Sequence, residues 1–286
     1  MMRLFDATRC QIGEGPLWHP ERQALFWFDI LGKRLLMRSV TQFRQWMFEE
    51  MVSAAGWVDR STLLVASETA LWHFNIETGE RAQIAALEAD NLQTRSNDGR
   101  ADPWGGFWIG TMGKKAEPGA GAIYRFYKGE VTRLFGSMTI TNAIAFAPNK
   151  SAATFCDTVT GKVMRVALDA ETGLPSGAPR VFLDLTAEGL NPDGAVFDTE
   201  GCLWLAEWGA SRVARYAPDG TRLTSVIVPT PHASCPAFGG ANLSTLYVTT
   251  AQDGLSSDDA GWDAAGQVYS AQVDVSGQRE HQVTLD

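Results

Sequence analysis

The sequence predicts an all-β fold, a six-bladed β-propeller built from four-stranded antiparallel blades. Three observations indicate it. A short apolar strand pattern opening on a small or polar residue recurs six times, each copy continues through turns into further short β-type runs, and the copies follow one another at intervals of 41 to 51 residues. Repeats of this length with several short strands each are typical of propellers. The opening residues are, in chain order, Glu14, Ala55, Asp98, Asn142, Asp193 and Cys235.

Each opening is followed by a second and a third strand. The second strands are predicted at 25–29, 63–67, 107–111, 152–156, 203–207 and 246–250, and the third strands at 35–40, 71–75, 122–126, 162–166, 212–216 and 267–271. Fourth, outer strands are predicted at 81–87, 180–185 and 222–228. Turn residues such as Gly, Pro, Asn and Asp separate these runs, as antiparallel strands joined by short turns require.

The ends of the chain carry two further strand-like segments, 3–7 and 281–285. A ring of blades leaves unpaired edges where its two ends meet, and strands from both termini commonly complete one blade. We therefore predict that these two segments share the sixth blade. The six copies occupy nearly the whole chain, which predicts a single domain over residues 1–286.

Composition excludes several classes of partner. The net charge of −9 disfavours a nucleic-acid groove or attachment to an anionic membrane, because both depend on Lys and Arg. The N-terminus lacks the apolar core of a signal peptide, and no stretch is long and apolar enough to span a bilayer. These observations predict a cytoplasmic protein that acts on a small molecule, without nucleic-acid or membrane partners, as a monomer or weak homodimer.

The cysteines and histidines offer no catalytic or metal-binding pattern. The four cysteines are spread along the chain without ligand spacing, so we interpret them as small buried side chains. His19 and His281 are expected at the surface, His73 within a sheet, and His232 near the channel mouth. Without a Gly-x-Ser-x-Gly elbow, a Ser-His-Asp hydrolase is not expected.

The six opening residues are predicted to form a ring, because the innermost strand of each blade begins or ends at the central channel. Four of the six carry side-chain oxygens. Converging carboxylates repel one another, and a hard divalent cation such as Ca²⁺, Mg²⁺ or Mn²⁺ would offset that repulsion. The absence of histidine argues against a dedicated zinc cage, although carboxylates also bind Zn²⁺. Alternatively, Asp and Asn at these positions bond turns at the strand starts.

A set of short motifs falls in order across nearly the whole chain and resembles one known family. The motifs are Gly13-Glu14-Gly15-Pro16-Leu17-Trp18, Arg95-Ser96-Asn97-Asp98-Gly99, Gly110-Thr111-Met112, Thr141-Asn142-Ala143, Asn191-Pro192-Asp193-Gly194 and Cys235-Pro236-Ala237-Phe238-Gly239-Gly240. They are similar to those of the senescence marker protein, regucalcin and gluconolactonase family. The resemblance implies a six-bladed propeller that hydrolyses sugar lactones with one divalent cation, for which Ca²⁺, Zn²⁺, Mg²⁺, Mn²⁺ and Fe²⁺ are candidates.

The resemblance also implies roles for individual residues. It places metal ligands at Glu14, Asn142 and Asp193, and it places Arg95 and Asn97 where substrate oxygens are held beside the metal. In the related phosphotriesterase-like propellers the residue equivalent to Asn97 binds the metal itself, so both roles stay open for Asn97. The resemblance further suggests Glu117, after the Gly-Thr-Met motif, as a contact to substrate.

These residues predict a metal-dependent lactonase. A cation would polarise the lactone carbonyl and activate a water, with Asp193 as ligand and general base and Arg95 orienting hydroxyls or stabilising the oxyanion. The expected substrate is an aldonolactone such as gluconolactone, xylonolactone or arabinonolactone. Two alternatives are a phosphotriesterase-like hydrolase using the same site and a propeller that only binds calcium or a protein partner.

Overall fold

The computed structural model describes residues 2–285, and this part of the chain forms 24 β-strands in six antiparallel sheets of four strands. Strand β1 (Arg3–Asp6) precedes the first blade. Blade one holds β2 (Gly13–His19), β3 (Ala24–Asp29), β4 (Arg34–Arg38) and β5 (Phe43–Met47); blade two holds β6 (Val52–Asp59), β7 (Thr62–Ser67), β8 (Ala70–Asn75) and β9 (Arg81–Ala86). Blade three holds β10 (Thr94–Ala101), β11 (Phe107–Gly113), β12 (Gly121–Tyr127) and β13 (Glu130–Met138).

The second half of the chain repeats this arrangement. Blade four holds β14 (Thr141–Phe146), β15 (Ala152–Asp157), β16 (Lys162–Ala167) and β17 (Arg180–Asp184); blade five holds β18 (Asn191–Phe197), β19 (Leu203–Trp208), β20 (Arg212–Tyr216) and β21 (Arg222–Ile227). Blade six holds β22 (Ala233–Gly239), β23 (Thr245–Thr250), β24 (Val268–Gln272) and β1. Three single turns of 3₁₀ helix lie in the connections, at Thr158–Thr160, Thr186–Glu188 and Trp262–Ala264. The predicted six-bladed propeller is confirmed.

The hydrophobic core lies between neighbouring blades, where aromatic side chains pack face to edge. The rings of Trp108 in blade three and Phe146 in blade four lie 5.3 Å apart at 89°, and those of Trp204 in blade five and Phe238 in blade six lie 5.7 Å apart at 89°. All four side chains are buried. Because these pairs occupy equivalent positions in the repeat, one aromatic contact is used twice to hold blades together.

Every innermost strand contains a β-bulge at its opening residues. In blades one, three, four and five, two unpaired residues of the inner strand oppose one residue of its partner; these bulges lie within Glu14 to Leu17, Ser96 to Gly99, Asn142 to Ala145 and Pro192 to Ala195. Blades two and six carry the same one-residue excess at Val52 to Ala54 and Ala233 to Cys235. A bulge interrupts the alternation of side chains and re-aims them. These six bulges therefore set which side chains face the channel.

Closure of the ring confirms one terminal prediction and corrects the other. Strand β1 pairs with β24 and forms the outer strand of blade six, as predicted for segment 3–7. Segment 281–285 forms no strand and does not join that blade. Instead, the Val283 amide donates to the Trp57 carbonyl at 2.9 Å and the Thr284 amide donates to the Gly105 carbonyl at 2.8 Å. The prediction for this segment was wrong because its buried Val283 packs against blades two and three.

The prediction for the cysteines is confirmed, whereas the prediction for His19 was wrong. The four cysteines are buried and free, as predicted. His19 is completely buried rather than exposed, and its Nδ1 accepts the amides of Glu21 and Arg22 at 3.3 Å each. Burial lowers the pKa of His19 to about 4, so the ring is neutral at neutral pH.

Within residues 2–285, none of the helices has the length and apolar character needed to cross a membrane.

Candidate functional site

A cavity of about 400 Å³ opens at the end of the channel where the innermost strands begin. Five of the residues predicted to form the site line it together, namely Glu14, Arg95, Asn97, Asn142 and Asp193. They come from blades one, three, four and five, and all five are buried, with exposures of 4 to 7%. The remaining lining is apolar and aromatic, apart from Thr158, Asn191 and Asp253. The predicted residues are therefore brought to one cavity by the propeller ring.

A chain of hydrogen bonds joins four of the side chains that line the cavity, namely Arg95, Asn97, Asn142 and Thr158. Arg95 Nη1 donates to Asn97 Oδ1 at 2.7 Å, and Asn97 Nδ2 donates to Asn142 Oδ1 at 3.0 Å. Asn142 Nδ2 then donates to Thr158 Oγ1 at 2.9 Å, and the Thr158 hydroxyl donates to the Pro192 carbonyl at 2.8 Å. Each donor in this series of hydrogen bonds meets an acceptor, so the side-chain amides of Asn97 and Asn142 and the Arg95 guanidinium are held in fixed orientations.

The bulge in β10 explains why blade three contributes two consecutive polar residues. Asn97 and Asp98 both lie in the unpaired part of the bulge, between Ser96 and Gly99. Asn97 reaches the cavity, whereas Asp98 Oδ2 accepts the Ile144 amide at 2.7 Å and ties blade three to blade four. Regular alternation would place these two side chains on opposite faces of the strand. The bulge allows both to point toward the channel.

Three buried carboxylates face one another at this end of the channel. Burial and the nearby Asp98 carboxylate raise the pKa of Glu14 to about 8. Burial and the Glu14 carboxylate raise the pKa of Asp193 well above its usual value, and burial raises the pKa of Asp98 to about 6. The protein alone therefore does not compensate three negative charges in this space.

Arg95 is the one cation among the side chains that line the cavity. Burial lowers its pKa to about 10, although the carboxylates of Glu14, Glu68 and Asp253 act in the opposite direction. The guanidinium stays charged at neutral pH and is bonded by one nitrogen to Asn97 and to the Ser96 carbonyl. Arg95 therefore presents a positive, oriented donor beside the carboxylates.

The donor set fits a hard divalent cation. Across residues 2–285, no group of three or more His, Cys, Asp or Glu side chains is arranged to hold a metal ion. The set in the cavity is of a mixed kind, with the carboxylates of Glu14 and Asp193 and the amide oxygen of Asn142. Such oxygens suit Ca²⁺, Mg²⁺ or Mn²⁺, and a cation would counteract both the burial and the mutual repulsion that raise the two carboxyl pKa values. These three residues could hold one divalent ion.

Residues 12–252 match the model of a protein family described as the SMP-30/gluconolactonase/LRE-like region. The chain belongs to this SMP-30/gluconolactonase/LRE family. The L-arabinolactonase of Azospirillum brasilense is 37% identical over 279 residues, covering 94% of this chain and 91% of the relative. The pentonolactonase of Haloferax volcanii is 34% identical over 285 residues, covering 97% of this chain and 96% of the relative.

A solved structure agrees with the fold of this SMP-30/gluconolactonase/LRE family member. The crystal structure of a calcium-binding protein described as regucalcin, from Agrobacterium tumefaciens, superimposes with a TM-score of 0.97 at 39% sequence identity. The match covers 100% of this chain and 98% of the other. The family resemblance carried by the sequence motifs is confirmed.

Glu117 lies apart from the other predicted site residues. It does not line the cavity, and its Oε2 accepts the Lys115 amide of its own turn at 3.0 Å. The turn is tight because Glu117 folds back over Gly113, where an added Cβ would lie 2.2 Å from Oε2. A contact between Glu117 and substrate stays a prediction that needs this turn to open.

A second set of lining residues follows the same repeat. Met112, Thr158, Trp208 and Asp253 lie at or just after the ends of the second strands β11, β15, β19 and β23. In each blade the second strand runs antiparallel to the first, so its end lies beside the start of the innermost strand. The period that identified the ring residues therefore also contained a signal for these positions.

Proposed function

We propose that this chain is a divalent-metal-dependent hydrolase of a sugar lactone. Its substrate would be an aldonolactone such as gluconolactone, xylonolactone or arabinonolactone, and its product the aldonic acid. The observation that carries the proposal is the meeting of Glu14, Asn142 and Asp193 with Arg95 and Asn97 in one cavity. Relatives that span nearly the whole chain act on lactones of five-carbon sugars, as the names L-arabinolactonase and pentonolactonase state.

Glu14, Asn142 and Asp193 would hold the cation. A bound divalent ion supplies a Lewis acid for the lactone carbonyl and lowers the pKa of water. Thr158 supports this assignment because it accepts Asn142 Nδ2 and thereby leaves Oδ1 on the cavity side. Gly15 supports it at Glu14, where its amide donates to Oε2 at 2.9 Å and fixes the carboxylate. The Thr158 bond thus turns the oxygen of the Asn142 amide toward the site, and the Gly15 bond holds the Glu14 carboxylate in place.

Asp193 would act as the general base. Water attacks the lactone carbonyl carbon and passes a proton to the Asp193 carboxylate; the ring C–O bond then breaks and the ring oxygen takes up a proton to become a hydroxyl. Arg95 donates to the oxygen on which negative charge develops, or to a ring hydroxyl, and Asn97 holds the guanidinium in place. The product is the open-chain acid, which ionises at neutral pH.

Calcium binding without catalysis is the second candidate, because the Agrobacterium tumefaciens structure is described as a calcium-binding protein. A site that only holds an ion needs ligands and no substrate arm. Here Arg95 is buried beside the proposed ligands and is oriented by Asn97, at the cost of desolvating a guanidinium. That arrangement favours the lactonase over a purely ion-binding propeller.

The proposal is tested by measuring proton release from gluconolactone, xylonolactone and arabinonolactone. Wild-type protein should exceed the spontaneous rate, and a chelator should remove the excess. Asp193→Asn keeps the shape of the side chain but removes the base, so it should lower kcat/KM by about 10²–10⁴-fold. Asp258→Asn, an exposed change in the loop between β23 and β24 that does not line the cavity, is the matched control. Wild-type rates equal to the spontaneous rate on all three lactones would contradict the proposal.

A further inference from the structure

Two residues of the cavity wall, Trp208 and Asp253, have no part in the proposed reaction. Trp208 ends β19 of blade five, and Asp253 follows β23 of blade six. Arg95 and Asn97 belong to blade three, which lies opposite blade six in the ring of six. With Arg95 donating to the oxygen that gains negative charge, the reacting end of a bound lactone would lie toward Arg95 and Asp193, and the rest of the molecule would extend toward Trp208 and Asp253.

Trp208 is braced from behind by His232. Their rings are stacked, with centroids 4.0 Å apart and planes at 15°. Burial lowers the pKa of His232, so the ring is a neutral, flat support at neutral pH although Asp253 and Asp259 lie nearby. The other face of the indole remains available to the cavity, because Trp208 is only partly buried and lines it.

The same imidazole supports the loop that carries Asp253. A Cβ added at Gly254 would lie 3.5 Å from His232 Cε1, so this loop packs against the ring edge. The Asp253 amide donates to the Gln11 carbonyl at 3.0 Å, which anchors the loop to the chain segment before blade one. His232 therefore links the position of the indole to that of the Asp253 carboxylate.

An aromatic face beside an acceptor matches the shape of a sugar ring. A sugar presents weakly positive C–H groups on a ring face, which suit the negative face of an indole, and hydroxyl donors around its edge, which suit a carboxylate. An anionic substituent does not suit this wall. Glu14, Asp193 and Asp253 give the lining three carboxylates against the one cation of Arg95.

We propose that Trp208, Asp253 and the bracing His232 form the subsite for the hydroxylated ring of an uncharged sugar lactone. The ring face lies on the indole and its hydroxyls donate to Asp253. This inference rests on the proposed lactonase function, and it adds the determinants of substrate choice.

Kinetics on two lactones provide the first test. D-Xylono-1,4-lactone carries hydroxyls, whereas δ-valerolactone has none. Trp208→Leu should raise the KM for xylonolactone about five- to tenfold and that for δ-valerolactone less than about twofold, because only the sugar gains from an aromatic face. Trp262→Leu is the matched control, since Trp262 is a partly buried tryptophan of the loop between β23 and β24 that does not line the cavity. An equal effect of Trp208→Leu on both lactones would overturn the subsite.

The bracing role of His232 predicts a different pattern. His232→Ala should raise the KM for xylonolactone about as much as Trp208→Leu with kcat changed less than about twofold, and His232→Phe should restore it because a flat ring can still stack on the indole. Loss of activity in both variants through a fall in kcat alone would overturn this part of the proposal.

A binding measurement separates failure of the subsite from failure of the lactonase. 1,5-Anhydro-D-glucitol has the hydroxylated ring but no carbonyl, so it cannot be hydrolysed. Saturation-transfer NMR should show contact of its ring C–H protons with the wild type and with Trp262→Leu, and about five- to tenfold weaker transfer with Trp208→Leu. If wild type binds this probe through Trp208 but hydrolyses no lactone, the subsite stands and the lactonase fails. If lactones are hydrolysed and Trp208→Leu binds the probe normally, the subsite fails alone.

Discussion

Asn97 connects Arg95, the proposed substrate-binding residue, to Asn142, a proposed metal ligand. Its Oδ1 accepts Arg95 Nη1, and its Nδ2 donates to Asn142 Oδ1 and to the Thr141 carbonyl at 2.8 Å. The family resemblance left open whether Asn97 binds metal or substrate. In this arrangement its oxygen is turned toward the guanidinium, so we expect Asn97 to act on the substrate side by orienting Arg95.

Asn97→Ala tests that assignment. We expect kcat/KM for a sugar lactone to fall about 10- to 100-fold, because Arg95 loses an oriented acceptor, while the Kd for Ca²⁺ measured by calorimetry changes less than about threefold. Asn242→Ala, an exposed asparagine away from the cavity, should leave both quantities at wild-type values. A rise of more than about tenfold in the Ca²⁺ Kd would instead assign Asn97 to the metal.

Within the innermost strands, spacing between blades decides which residue can follow a ring residue. Gly15 follows Glu14 with φ +53, and a Cβ there would lie 2.2 Å from the Ser53 carbonyl oxygen of blade two. Ala143 follows Asn142 with nearly the same φ of 54 and already carries a Cβ. The left-handed backbone alone therefore does not require glycine. Glycine is required at position 15 because the backbone of blade two lies so close.

This pair of positions gives a matched prediction. Gly15→Ala should reduce the free energy of unfolding by about 2–4 kcal/mol, because backbone of a neighbouring blade must move. Ala143→Gly loses one methyl group but relieves an unfavourable φ, so its effect should stay within about 1 kcal/mol. Urea unfolding midpoints of both variants check this. Equal destabilisation by the two changes would show that backbone conformation, rather than blade spacing, decides the residue.

The strands and ring residues could be predicted from the sequence because both follow the repeat period. Glu14, Asn142 and Asp193 reach the cavity from the bulges of their strands, although Asp193 lies one residue later in its bulge than the other two. The bulges could not be predicted, because a one-residue excess depends on the partner strand and not on the inner strand alone. The stacking of Trp208 on His232 was also out of reach, since it joins loops of two blades.

Across the whole molecule, charged groups are ordered along the channel. The carboxylates of Glu14, Asp193 and Asp98 lie toward the cavity, and Arg100, further along β10, meets Glu280 of the C-terminal segment at the other end. That segment contacts blades five, four and two: the Ser276 carbonyl accepts the Thr199 amide, Gln278 Nε2 donates to the Phe146 carbonyl, and the Glu280 carbonyl accepts Trp57 Nε1. It covers the end of the channel opposite the cavity, which explains why its residues form no strand.

The buried pair of Arg100 and Glu280 should matter for stability and not for catalysis. Arg100 Nη1 lies 2.6 Å from Glu280 Oε1, with side-chain exposures of 9% and 8%. Burial disfavours the charge on Arg100, but Glu280, together with Cys235 and Asp98, outweighs that effect and raises its pKa. Glu280→Gln leaves a buried guanidinium without its counterion and should cost about 2–4 kcal/mol in urea unfolding.

A second glutamate provides the comparison for that change. Glu200 pairs with Arg215 at 2.7 Å but is 63% exposed, so Glu200→Gln should cost less than about 1 kcal/mol. Because the Arg100–Glu280 pair lies at the far end of the channel from the cavity, kcat/KM for a lactone should stay within about twofold of wild type in both variants, measured where each is fully folded. Equal loss of stability in the two variants would mean that the C-terminal segment is held by Val283 and its backbone hydrogen bonds, with the buried charge pair adding nothing.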